Sequence, residues 1–173
     1  MKRLIYLSII AMLLCSCGNN NNVYRPSKFP DKISTQNFSF AIPYQNRNSS
    51  IIVRIRLNDG PQFDATWDSG CSVPLKISSL EAAALVKAGT LLESDYQTSV
   101  PIRVANGQTS EYDVYMLKSI SFMDQEGVEH SLANVPAVID DNVETDILIG
   151  LPVMQELGYS HEISQYDRLI YYK

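Results

Sequence analysis

ATWDSGCSVPLKIS, residues 65–78, runs from an apolar strand straight into a carboxylate. Asp68 directly follows Trp67 and is itself followed by Ser69-Gly70, after which a second apolar run begins. A carboxylate in this position is either a turn residue that solvent keeps charged or a group held beside the core for chemistry. Which interpretation is favoured depends on the structure predicted for the segments on either side.

The residues before this stretch predict a β-hairpin that ends at Asp68. Apolar residues alternate with other residues along two segments, which is typical of strands that bury one face. The alternating residues are Ile51, Val53, Ile55 and Leu57 in the first segment and Phe63, Ala65 and Trp67 in the second. Asp59-Gly60-Pro61 lies between the two segments and predicts the turn that joins them.

The residues after the stretch predict one short helix. Ser78-Ser79-Leu80-Glu81 has the spacing of a capping box, in which serine and glutamate side chains satisfy free backbone N–H groups. The body that follows is rich in alanine, and Gly89 stands where a glycine commonly ends a helix.

Short strands and tight turns account for most of the remaining chain. Turns are predicted at residues 106–107, 124–127 and 166–168. The apolar run Ile147-Leu148-Ile149-Gly150 predicts a strand, and a brief helix is expected after it, with Pro152 in its first turn and Gly158 at its end. The sequence therefore predicts an all-β, barrel-like domain with one or two short helices.

The N-terminus predicts export. A short basic segment precedes an apolar run that is too short to span a bilayer, which indicates a signal peptide over residues 1–16. Leu14-Cys15-Ser16-Cys17 resembles a bacterial lipobox, and the resemblance implies lipidation of Cys17 and attachment to the cell envelope, with the periplasmic face expected. A plain cleaved signal with two incidental cysteines is the alternative. Residues 17–36 are polar and asparagine-rich and predict a flexible tether to a domain over residues 37–173.

Charge and composition narrow the expected partners. Cleavage before Cys17 would leave 12 Lys and Arg against 19 Asp and Glu, a net charge of −7, with no basic run for nucleic acid. Cys71 would then be the only cysteine without lipid, so no intrachain disulfide is expected. No metal or cofactor is expected either, because the acidic run 140–146 lacks the spacing of a calcium loop and favours a solvated connection.

Two segments about 80 residues apart carry a family resemblance. The first segment is Asp68-Ser69-Gly70, which follows a hairpin strand, and the second is Ile147-Leu148-Ile149-Gly150. This arrangement resembles the retropepsin-like aspartic proteases, in which a segment of the second kind runs beneath the Asp loop. The resemblance covers residues 50–172. It also places the hairpin around Ala105-Asn106-Gly107 where the family has its substrate flap. It implies a closed barrel of the acid-protease type.

The resemblance also implies a mechanism and roles for residues. Asp68 would be the catalytic carboxylate, and because the chain has a single Asp-Ser/Thr-Gly, a second copy of the chain would supply the partner. Gly70 would allow the tight loop, and Ser69 would hydrogen-bond across the homodimer. The implied substrate is a peptide or protein, and the membrane would be contacted through the lipid anchor alone.

Other interpretations remain open at this point. The chain could keep the fold with an idle Asp68 and serve as a peptide-binding or envelope scaffold, since fold alone does not confer activity. It could also be an unrelated β-rich envelope lipoprotein. Cys71 as a thiol nucleophile would need a nearby histidine, and because His130 and His161 fall in predicted hairpins, a small buried apolar role is favoured for Cys71. Cys71 and Trp67 differ from the family's usual residues, which bears on pocket shape more than on mechanism.

Overall fold

The computed structural model describes residues 39–103, 107–158 and 160–173. The predicted signal peptide, tether and lipidated Cys17 lie outside these residues. The described part contains ten strands: β1 (Phe40–Arg47), β2 (Ser50–Leu57), β3 (Gln62–Trp67), β4 (Leu75–Ser78), β5 (Tyr96–Arg103), β6 (Thr109–Met123), β7 (Glu129–Asp140), β8 (Ile147–Ile149), β9 (His161–Ser164) and β10 (Leu169–Tyr172). It also contains two helices, α1 (Ser79–Lys87) and α2 (Leu151–Leu157), and a single 3₁₀ turn at Glu93–Asp95.

Six of these strands close into a barrel. Around the ring, β2 pairs with β3, β3 with β8, β8 with β4, β4 with β7, β7 with β6, and β6 returns to β2. The other four strands extend the sheet, with β5 on β6 and the series β1, β10 and β9 beyond β2. The sequence predicts an all-β closed barrel with one or two short helices, and this fold is confirmed, with two helices present in the described residues.

The β2–β3 hairpin delivers the chain to Asp68. Five residue pairs join the two strands, from Ile52 opposite Thr66 to Arg56 opposite Gln62. The turn centres on Asn58 and Asp59, with φ angles of 53° and 55°, so it lies one residue earlier than the predicted Asp-Gly-Pro turn. Asparagine and aspartate tolerate this left-handed conformation better than most residues do.

The buried side chain of Asn58 holds this turn against the rest of the barrel. Its Nδ2 donates to the backbone oxygen of Thr90 at 2.8 Å, and its Oδ1 accepts from the backbone N–H of Ser119 at 3.2 Å. The amide therefore satisfies polar groups from two distant parts of the chain and has both of its own polar atoms bonded, as a buried polar side chain must.

Two strands are longer than the sequence pattern indicates. β6 continues through Lys118 and Ser119, where the apolar alternation breaks, and β7 continues through Asn134, whose φ is 55°. β6 pairs with β5 over its first half, with β2 near its end, and with β7 along most of its length. Because β6 changes partners, the side of the strand that is buried changes along its length. An alternating apolar pattern assumes one buried face and therefore does not predict that β6 is a single continuous strand.

Both predicted helices are present with the expected ends. Ser78 caps α1 by accepting from the N–H of Leu80 at 3.2 Å, and Glu81 accepts from the N–H of Ser78 at 2.8 Å and from its hydroxyl. Gly89 follows with φ of +71°, and its N–H donates to Val86 at 2.9 Å. Within the described residues, no helix is long and apolar enough to span a membrane.

A buried carboxylate organises the turn between β6 and β7. Asp124 Oδ1 accepts from the N–H groups of Glu126 and Val128 at 2.8 Å each, and Oδ2 lies 2.9 Å from His130 Nε2. The hydrogen bond with His130, together with the two backbone N–H groups, holds the pKa of Asp124 below its usual value.

This turn predicts a pH dependence of stability. A carboxylate whose pKa is lowered by folding stabilises the protein above its unfolded pKa, and that contribution is lost as the pH falls through the folded value. We therefore expect Asp124→Asn to lower the free energy of unfolding at neutral pH and to approach wild type below about pH 4, the ordinary range of the carboxyl group. Urea unfolding across this range measures the difference. Glu126→Gln, in the same turn, is the control, and a pH-independent difference for Asp124→Asn would contradict the prediction.

Candidate active site

The Asp68 loop is tied to the end of β8. The backbone N–H of Asp68 donates to Ile149 O at 3.0 Å, and Asp68 O accepts from the N–H of Cys71 at 3.1 Å. These two bonds continue the strand pairing of β3 with β8 and then turn the chain sharply. The position of the Asp68 backbone is therefore set by the barrel.

β8 lies between the strands that precede and follow the loop. It pairs in parallel with β3, with Trp67 opposite Ile149, and antiparallel with β4, with Leu75 opposite Ile149. The loop from Asp68 to Pro74 must therefore cross the end of β8. The structure thus brings together the two segments, residues 68–70 and 147–150, that the sequence analysis singled out.

Gly150 lies at the crossing, where the two backbones are closest. A Cβ at Gly150 would lie 1.9 Å from Val73 O and 2.8 Å from Cys71 O, distances that real Cβ atoms do not show. The N–H of Gly150 donates to Pro74 O, and the N–H of Leu151 donates to Cys71 O, both at 3.0 Å. Only glycine fits this close approach.

The Asp68 carboxylate is half-buried and lies at the mouth of a cleft. Its Oδ1 accepts from the N–H of Gly70 at 2.9 Å, and a Cβ at Gly70 would come within 3.2 Å of the same oxygen. Within the described part of the chain, no donor is hydrogen-bonded to Oδ2. Ser69 is exposed on the loop. One carboxylate oxygen is thus fixed by the loop, and the other has no partner among the described residues.

The cleft has a volume of about 320 Å³ and is lined by both loop and strand residues. Its walls are mainly apolar, with Asp68, Lys76 and Arg103 as the charged lining residues. Besides these three, the lining residues are Gly70, Cys71, Ser72, Val73, Ile102, Tyr112 and Leu148. A mainly apolar cleft with a few polar groups is the usual form of a ligand site.

Lys76 is held by an ion pair inside this wall. Its Nζ lies 3.0 Å from Asp140 Oδ2, with both side chains largely buried. Burial would raise the pKa of Asp140, but hydrogen bonds from the N–H of Asn142 and from Lys76 outweigh it and lower the pKa. The opposite charges of the two side chains offset each other, and the ion pair joins β4 to the end of β7.

The β5–β6 hairpin lies along the cleft where a flap is expected. Ile102 from β5 and Tyr112 from β6 line the cleft, and Arg103 is paired with Thr109 near the hairpin end. Gly107 has φ of +86°, a left-handed conformation suited to a turn. Ala105 and Asn106, the other predicted flap residues, lie outside the described residues.

Neither His130 nor His161 is among the residues that line the Asp68 cleft. His130 pairs with Asp124, and His161 packs edge-on against Trp67 with ring centroids 6.1 Å apart. Cys71 lines the cleft with its Sγ 3.6 Å from Val73 O, and burial raises the pKa of its thiol. No histidine is among the residues that line this cleft, so the geometry does not favour a thiol nucleophile, which needs a base within reach.

Lys76, which lines the cleft, and Asp140, which pairs with it, were not singled out as site residues in the sequence. Lys76 and Asp140 are 64 residues apart, and they meet because β4 pairs in parallel with β7, with Ser78 opposite Asp140. Nothing in the local pattern indicates that pairing.

Across the described ranges, no group of three or more histidine, cysteine, aspartate or glutamate side chains is arranged to hold a metal ion.

The chain was compared with protein families, curated proteins and solved structures. No family model matches the chain, and no curated protein matches it. Among solved structures, a retropepsin-like aspartic protease from Rickettsia conorii is similar, with a TM-score of 0.49 and 13% sequence identity. The likeness covers 76% of this chain and 88% of that one. At this level of similarity, any conclusion about function has to rest on the residues of the chain itself.

Proposed function

We propose that this protein is an aspartic endopeptidase in which two Asp68 carboxylates, one from each subunit of a homodimer, activate a water molecule. One observation carries the proposal: Asp68 stands half-buried at a mainly apolar cleft, on a loop fixed by β8, with its Oδ2 free of partners among the described residues. A simple solvated turn does not require the glycine crossing at Gly150 beneath it.

The chemistry follows from pairing two carboxyl groups. Two carboxylates about 3 Å apart cannot both ionise, so they share one proton, as is established for aspartic proteases. The ionised carboxylate removes a proton from water while the oxygen attacks the peptide carbonyl carbon, and the protonated carboxyl donates its proton to the carbonyl oxygen. Collapse of the tetrahedral intermediate then breaks the C–N bond: the carboxyl that took the proton from water gives it to the leaving nitrogen, and the other carboxylate takes a hydroxyl proton from the intermediate, which restores the single shared proton.

A second subunit is needed to complete this pair. The chain contains a single Asp-Ser-Gly, and among the described residues that line the cleft only Asp68 carries a carboxylate. A single carboxylate is expected of half a site.

Two further elements have roles in this proposal. The β5–β6 hairpin would cover the bound peptide and exclude water, as mobile loops over active sites do. The exposed Ser69 hydroxyl would hydrogen-bond across the dimer and keep the two Asp68 loops in register. Both roles come from the family resemblance.

A peptide-library digest tests the proposed function. The purified mature chain is incubated with a mixed peptide library at acidic and at neutral pH, and the products are identified by mass spectrometry. We expect cleavage at internal peptide bonds, inhibition by pepstatin, and a specific activity that falls on dilution as the dimer dissociates. No cleavage at any pH or concentration would favour a scaffold with an idle Asp68, and cleavage by a strict monomer would exclude the shared pair.

We also propose that the protein is exported and anchored by lipid at Cys17, on the strength of the lipobox-like sequence. The expected result of Cys17→Ser is a precursor that stays uncleaved or a product that leaves the membrane fraction, because the acceptor thiol is gone. Detergent-phase partitioning of the two proteins measures this. Cys15→Ser is the matched control and should partition as wild type. Unchanged partitioning of Cys17→Ser would contradict the anchor.

A further inference from the structure

Not all of the charged side chains around the Asp68 cleft are paired. Three charged side chains line it, Asp68, Lys76 and Arg103. Lys76 forms an ion pair with Asp140 at 3.0 Å, and Asp140 is not among the residues that line the cleft. This leaves one anionic group on the loop and one cationic group on the hairpin.

Arg103 has no ion-pair partner in the described ranges. The salt bridges found there involve other cations, and no carboxylate lies within 4.0 Å of the Arg103 guanidinium, Asp68 included. The side chain is exposed at the end of β5, beside Gly107, so no burial cost opposes its charge. A guanidinium presents five N–H donors and binds a carboxylate in a bidentate manner.

The surroundings of Arg103 define what would lie next to the bound anion. Ile102 and Tyr112, from the two strands of the hairpin, contribute apolar and aromatic surface to the same cleft. Val73 and Leu148 contribute apolar surface on the loop side. A ligand that fits this cleft therefore combines one acidic group with apolar side chains.

We propose that Arg103 determines substrate specificity by binding an acidic side chain of the peptide, next to apolar residues at the scissile bond. This inference rests on the proposed function and names its substrate class. A peptide held along the hairpin would place its reacting carbonyl at Asp68 and a glutamate or aspartate at Arg103. The second subunit would contribute a second Arg103, so an acidic residue on either side of the scissile bond can be recognised.

Matched peptides test this directly. Fluorogenic peptides with apolar residues at the scissile bond carry Glu, Gln or Lys at one flanking position, and kcat/KM is measured for each at low salt. We expect the Glu peptides to be cleaved about tenfold faster than the Gln peptides, which corresponds to about 1.4 kcal/mol. Raising the salt concentration should reduce this ratio, because the guanidinium is exposed.

The variants separate charge from shape. Arg103→Glu should invert the order, so that the Lys peptide becomes the better substrate relative to the Glu peptide. Lys118→Gln, which removes an exposed cation from β6 away from the cleft, should leave the wild-type ratio unchanged. Equal cleavage of the Glu and Gln peptides by wild type, or the same preference in Arg103→Glu, would overturn the inference while leaving the protease intact.

Binding provides a readout that does not depend on catalysis. Fluorescence anisotropy of the same peptides with the Asp68→Asn protein should show the same order of affinities, reversed by adding Arg103→Glu. If no peptide is cleaved by wild type but the Glu preference appears in binding, the proposed catalysis fails and the specificity assignment stands. If binding shows no preference for Glu, the specificity assignment fails.

Discussion

Asp68→Asn should abolish peptide hydrolysis while leaving the fold and its stability close to wild type. The amide has nearly the same size as the carboxylate, and its oxygen can still accept from the N–H of Gly70, which now bonds Oδ1 at 2.9 Å. The backbone bond from Asp68 to Ile149 is untouched. An amide cannot remove a proton from water, and both copies are lost together in a symmetric dimer.

The expected loss is large because the whole acid–base pair is removed. General acid and general base catalysis contribute about 10²–10⁴-fold each, so kcat should fall by about 10⁴-fold or more. Asp64→Asn is the matched control, because Asp64 lies four residues earlier and forms exposed ion pairs with Arg47 and Arg54 at 2.9 and 3.0 Å. Exposed pairs of this kind contribute little to stability, and activity should be retained. Circular dichroism and urea unfolding confirm that both variants are folded.

Gly150→Ala should be the most destabilising substitution in the site. The added Cβ would lie 1.9 Å from Val73 O, and because that atom is backbone, the whole loop over β8 must move. Inserting a methyl group into such a contact costs about 1–3 kcal/mol and sometimes more, and the upper end is expected here. The two 3.0 Å hydrogen bonds from the N–H groups of Gly150 and Leu151 to the loop would also be strained.

Activity should fall with stability, since the displaced loop carries Asp68. A shift of about 1 Å in a reacting group can cost about 10²-fold in rate. Gly127→Ala is the control: its φ of +82° makes alanine strained, but a Cβ there meets no atom within 4 Å. A cost of about 1–2 kcal/mol is expected for that control, with activity unchanged. A Gly150→Ala protein as stable and active as wild type would mean that the crossing does not position the loop.

The features predicted from sequence are those set by neighbouring residues. The β2–β3 hairpin, the Ser78–Glu81 capping box and the turn after β6 each depend on residue types within a few positions. The close passage of residues 147–150 under the Asp loop came from the family resemblance, because no local rule joins segments 80 residues apart. The barrel class followed from many short strands with one or two helices between them.

What the pattern could not provide depends on distant pairing. β1 contains Pro43 and several polar residues, which do not favour a strand. It nevertheless pairs with β10, with Pro43 opposite Leu169. The pairing of β4 with β7 likewise creates the Lys76–Asp140 ion pair, so that among the cations lining the cleft in the described residues only Arg103 is outside an ion pair. These contacts are decided by barrel closure, which packs strands by their position in the ring and not by their order in the chain.

The central claim, that two copies of Asp68 form one site, is tested most directly by mixing subunits. Wild-type and Asp68→Asn chains are combined at a fixed total concentration, allowed to exchange, and assayed on one fluorogenic peptide across the range of mixing ratios. Because a mixed dimer holds a single carboxylate, activity should follow the square of the wild-type fraction, with about a quarter of full activity at equal mixing. A linear decline, with about half the activity at equal mixing, would show that each chain acts alone and would contradict the shared site.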